Sequence, residues 1–141
     1  MSIVKLRFKQ HIAEQYNRPY IKASTQFKEI LDAMDEKERT ECKHNLLKIS
    51  ASFDPESLRL PPNLQKWHVC KPPIGSEYSE AHLSFKYVMI FCTYKKAILY
   101  LDIVKHKILE SETTSKQEAR RLDFIKNNLI KQIEDTWKKK R

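Results

Sequence analysis

From Leu83 to Phe91 every second residue is apolar or aromatic: Leu83, Phe85, Tyr87, Met89, Phe91. That is the period of an extended strand. The intervening positions open as His82, Ser84 and Lys86 and become apolar only at Val88 and Ile90. A strand over 80–93 is therefore expected to start at a polar surface and to be buried on both sides only from Tyr87 onward. Two neighbouring segments, 66–70 (KWHVC) and 97–104 (AILYLDIV), are equally rich in β-branched and aromatic residues. The short connection Tyr94-Lys95-Lys96 predicts that the last two strands form an antiparallel hairpin.

Before this block the pattern is helical. Phe27, Ile30, Leu31 and Met34 fall at i, i+3, i+4 and i+7, one face of a helix opened by Ser24. Asp35 with Glu38 makes a capping box for a second helix carrying Cys42, Leu46, Ile49 and Phe53, which Asp54-Pro55 ends. The alternating residues 3–9 (IVKLRFK) predict a short first strand, and a proline-marked stretch over 58–67 leads into the β block. After it, Ser115 with Glu118 forms a second capping box before the stripe Leu122, Ile125, Leu129, Ile133, Trp137. Cations close that helix at its C-terminus, where the macrodipole favours them. The order predicts an α+β fold: a small antiparallel sheet built as strand, two helices and a three-stranded meander, with helices on one face. Residues 1–110 would be the main domain, with 111–141 a C-terminal helical extension packed on it.

Charge and composition narrow the functions. With 27 Lys+Arg against 18 Asp+Glu, the net charge of +9 suggests a polyanionic partner. Gly75 is the only glycine, which excludes a Walker A loop and a dinucleotide fingerprint. Three widely spaced cysteines, Cys42, Cys70 and Cys92, argue for a reducing compartment rather than a disulfide framework. The opening residues are too polar for a secretory signal, and no apolar run is long enough for a membrane span. A cytoplasmic protein with no membrane contact is expected.

His68, His82 and His106 fall on or at the ends of the three expected strands, among Lys66, Lys71, Lys86, Lys105 and Lys107. An antiparallel meander can bring the three to one surface, on the sheet face left uncovered by helices. Such a set suits RNA cleavage that uses no metal and no cofactor. The ribose 2′-OH is the nucleophile, imidazoles supply a base and an acid, and ammonium groups stabilise the transition-state charge. Trp67 and Tyr87 are candidates to stack a splayed base.

The segment from His68 to His106 resembles the catalytic half of the RelE/ParE toxin superfamily, nearest the YafQ and YafO branches. The likeness lies in a histidine entering one strand, the acidic-Ala-His triplet Glu80-Ala81-His82, the run Tyr87 to Phe91 and a histidine after the last strand. It spans roughly residues 24–110, with Lys86 where the YafQ branch has a carboxylate. The resemblance implies a type II toxin–antitoxin toxin: a ribosome-dependent endoribonuclease that cleaves mRNA in the A site, beside 16S rRNA. It also implies inhibition of translation and an acidic cognate antitoxin as partner. Carried over, His68, His82, His106 and Lys86 would be catalytic, and Lys66, Trp67, Lys71, Tyr87, Lys105 and Lys107 would bind RNA.

Plainer readings stand beside these. The histidines can be ordinary strand-end residues, and Trp67 and Tyr87 can be packing. The protein can be a nonenzymatic gyrase inhibitor of the ParE kind or a basic RNA-binding module. Cys42-Lys43-His44 paired with His68-Val69-Cys70 offers zinc donors, but X-x-X spacing on a helix does not turn both ligands inward.

Overall fold

The computed structural model describes residues 20–62, 64 and 67–138. The strand expected at 3–9 and Lys66 lie outside them. The described chain begins with β1 (Tyr20–Ala23), followed by α1 (Thr25–Ala33) and α2 (Glu36–Ser52). Then come β2 (Trp67–Val69), β3 (Ser79–His82), β4 (Tyr87–Tyr94) and β5 (Ala97–Lys105). A 3-10 turn (His106–Glu110) leads into α3 (Glu112–Lys138). The fold is α+β. The described strands form one sheet in the order β1-β5-β4-β3-β2, antiparallel except for β1, which runs parallel to β5.

Local chemistry sets the helix starts. Ser24 Oγ accepts from the Phe27 N–H at 2.9 Å and donates to the Leu101 carbonyl at 2.6 Å, so one hydroxyl caps α1 and ties it to β5. Asp35 accepts from the Glu38 N–H at 2.9 Å, as its capping pattern predicts. The second pattern is not a cap. α3 starts at Glu112, and Ser115 lies inside it, donating to the carbonyls of Ile108 and Leu109.

The sheet corrects three expectations. First, the single strand at 80–93 is two strands, because the chain reverses over 83–86. There Ser84 Oγ accepts from the N–H groups of Lys86 and Tyr87 at 3.3 and 3.1 Å, and Leu83 N–H donates to the Tyr87 carbonyl at 3.0 Å. Second, a parallel edge strand, β1, precedes α1. Third, the face expected to be open is covered. Phe27, Leu31, Cys42 and Ile49 of α1 and α2 pack on Met89, Phe91, Ile98 and Tyr100. Leu122, Ile125, Leu129 and Ile133 of α3 pack on Ile90, Cys92, Leu99 and Leu101. Successive residues of β4 thus enter opposite cores, the period-2 pattern of a strand buried on both sides.

Between β4 and β5 the register slips. Ile90 pairs with Asp102 but Phe91 with Tyr100, so Leu101 is the extra residue of a β-bulge. The bulge lets both Leu101 and Asp102 meet α3, where Arg121 Nε donates to the buried Asp102 carboxylate at 2.9 Å. Glu118 lies beside this pair. Burial, together with a hydrogen bond to Asp102, raises its carboxyl to about 9.

Candidate active site

Residues directly paired in neighbouring strands share a face of the sheet. Trp67, Ala81, Met89 and Ile103 make one such row, in the core beneath α1 and α2. The adjacent row, His68, Glu80, Ile90 and Asp102, faces α3. His82, Val88 and Val104 form a further row on that same side, two residues nearer the end of the sheet. His106 enters from the first residue after β5, its N–H donating to the Lys86 carbonyl at 2.9 Å. The register therefore gathers histidines at one end of the sheet, past the edge of the α3 core.

The His82 and His106 rings lie 5.2 Å apart, centroid to centroid, tilted by 33°. They line an open cleft of about 960 Å³ together with Phe85, Lys86, Lys105, Lys107 and Glu110. His106 Nδ1 lies 3.1 Å from Glu110 Oε1, one turn along the 3-10 segment. A ring that donates from Nδ1 to a carboxylate presents Nε2 as its proton acceptor. Lys86 leans from the cleft rim toward Glu38 of α2, with Nζ 3.6 Å from the carboxylate.

His68 belongs to an adjoining cleft of about 220 Å³, which it lines with Lys71, Glu80, His106 and Glu110. Its Nε2 is 2.6 Å from Oε1 of the buried Glu80, and its Nδ1 is 2.9 Å from the Val69 carbonyl. Both contacts are acceptors, so both nitrogens carry hydrogen when both bonds are made. His106 and Glu110 stand between the two clefts.

Of the ten residues singled out by sequence, His82, His106, Lys86, Lys105 and Lys107 share the larger cleft, and His68 and Lys71 line its neighbour. Trp67 and Tyr87 face the α1/α2 side, where both pack against the core, and Trp67 Nε1 donates to the Pro61 carbonyl at 3.1 Å. Neither lines the larger cleft. Sequence reasoning passed over Glu110 and Phe85. A carboxylate four residues after His106 was the available signal for Glu110. For Phe85 there was none, since it simply continued the apolar alternation from Leu83 to Phe91.

The cysteines offer no nucleophile. All three are buried, and burial pushes the Cys70 and Cys92 thiols up to about 12, far from the thiolate that attack requires. Cys42 lies in the α1/α2 core and Cys70 in the α3 core, so the sheet separates the zinc donors that spacing alone might pair.

No family model matches the sequence and no curated protein matches it. Among solved structures, the chain is similar to YafQ from E. coli strain BL21(DE3), with a TM-score of 0.47 and 16% identity over 67% of this chain and 100% of that one. It is similar to the E. coli DinJ–YafQ toxin–antitoxin complex at a TM-score of 0.47 and 16% identity, over 67% of this chain and 99% of that one. It is also similar, at a TM-score of 0.43 and 16% identity over 63% of this chain and 96% of that one, to a conserved hypothetical protein from Helicobacter pylori.

Proposed function

We propose that the protein is an endoribonuclease whose active site is the cleft between His82 and His106. The observation that carries this reading is the pair of imidazoles 5.2 Å apart in a cleft lined by three lysines. One imidazole takes the proton of a ribose 2′-OH, whose oxygen attacks the adjacent phosphorus. The other gives a proton to the departing 5′-oxygen. The products are a 2′,3′-cyclic phosphate and a 5′-hydroxyl, so the ribose supplies the nucleophile and the protein only moves protons and stabilises charge. His106 is suited to the base role because Glu110 holds its Nδ1–H. A base and its acid begin in opposite protonation states, which avoids setting two cations side by side. Lys86, Lys105 and Lys107 hold the phosphate and offset the charge that develops on it.

Together with the resemblance of residues 68–106 to RelE-type toxins, this chemistry gives the fuller reading. The protein acts in the cytoplasm as the toxin of a type II toxin–antitoxin pair. It cleaves mRNA on the ribosome and is held inactive by an acidic antitoxin that complements its charge of +9. The test is end-group analysis of an RNA incubated with wild type, His82→Ala and His106→Ala. Cyclic phosphate ends from wild type, and a loss of about 10²–10⁴ in rate for each variant, support the reading. Equal cleavage by all three proteins overturns it.

A further inference from the structure

Phe85 is fully exposed, the most exposed of the large apolar residues among those described. It sits on an anchored turn. Leu83 on one side is buried, and its carbonyl accepts from Asn45 Nδ2 at 2.7 Å. On the other side, Ser84 Oγ holds the N–H groups of Lys86 and Tyr87. A phenyl ring carried into water on this turn contributes nothing to this chain's own core. It borders both the His82/His106 cleft and a smaller one lined by Asn45, Trp67 and His82.

We infer that Phe85 is the stacking platform for an unpaired base of the RNA whose phosphate lies between His82, His106 and the cleft lysines. The inference rests on the ribonuclease reading and adds to it a binding residue outside the proton-transfer pair. The cleft offers a nucleotide both of its needs: ammonium groups for the phosphate and an exposed aromatic face for the base. Trp67 and Tyr87 pack against the core beneath α1 and α2, and neither lines the His82/His106 cleft. The turn that carries the ring is already anchored by its own hydrogen bonds, so its backbone loses little conformational freedom when a base settles on Phe85. An apolar side chain of a partner protein could also cover Phe85, but the three cleft lysines favour a polyanion.

The test measures affinity for a single-stranded, 2′-O-methylated oligoribonucleotide, which cannot be cut, and for an abasic chain of equal length and charge. Wild type, Phe85→Ala and Phe85→Trp are compared. Phe85→Ala should bind the oligonucleotide roughly 5- to 150-fold more weakly, the range that stacking of one base carries, and bind the abasic chain as wild type does. Phe85→Trp should keep the oligonucleotide affinity. If Phe85→Ala weakens both ligands equally, or neither, while wild type binds and cleaves RNA, the stacking role fails and the ribonuclease reading stands. If wild type neither binds nor cleaves RNA, both fall together.

Discussion

Nδ1 of His106 lies 3.1 Å from Oε1 of Glu110, and both side chains are largely open to water. Even exposed pairs of full charges contribute only about 0–1 kcal/mol, and this exposed bond no more than that. Replacing Glu110 by Gln, which can still accept the bond, should therefore slow RNA cleavage by less than about fivefold. Single-turnover rates of Glu110→Gln and wild type check this.

The bond between His68 and Glu80 is of another kind. It is 2.6 Å long, and the carboxylate is buried. Glu80→Gln removes the negative charge from the acceptor and should cost about 1–2 kcal/mol of stability, allowing for the exposure of His68. Urea unfolding at pH 6 gives the number. An unchanged midpoint would mean that Glu80 gains nothing from its partner.

Glu118 makes stability depend on pH. Its carboxyl stays protonated in the folded protein up to about 9, whereas in the unfolded chain it ionises above the ordinary value of 4.5. Between those limits the unfolded state binds fewer protons, so this group's contribution to stability falls as pH rises. The unfolding temperature should drop from pH 5.5 to pH 8.5, and Glu118→Gln should flatten that slope. A variant as pH-dependent as wild type would place the effect elsewhere.

The α3 side of the sheet is a core in its own right. Leu122 is fully buried on β-sheet residues, whereas Leu47 on α2 is 71% exposed. Leu122→Ala should cost about 2–5 kcal/mol, and Leu47→Ala no more than about 0.5 kcal/mol. Denaturant midpoints of the two variants, at unchanged slope, compare them directly.

Much of this was legible in the chain. The 3.6-residue period and the caps at Ser24 and Asp35 predicted α1 and α2, because helices are specified by neighbours in sequence. The strands were legible as segments but not as a sheet. β1 is only four residues long, and its pairing with β5 is non-local, so no local pattern announces it. The break at 83–86 was hidden because Leu83 and Phe85 continue the alternation while the hydroxyl of Ser84 turns the backbone. That same turn decides which residues reach the cleft. His82 and His106 were visible as strand-end histidines, but the exposure of Phe85 at the turn and the packing of half-buried Trp67 and Tyr87 against the α1/α2 core are tertiary features. The bulge at Leu101, which sets Asp102 against α3, likewise leaves no mark in composition.

The most direct test of the central claim is cleavage mapping on a defined mRNA, with and without ribosomes, using wild type and His106→Ala. Wild type should leave 2′,3′-cyclic phosphate ends in at least one of the two conditions, and His106→Ala should cut about 10²–10⁴-fold more slowly at the same sites. Intact RNA after incubation with wild type, both with ribosomes and without them, would contradict the account and leave His82 and His106 as structural residues at the end of a sheet.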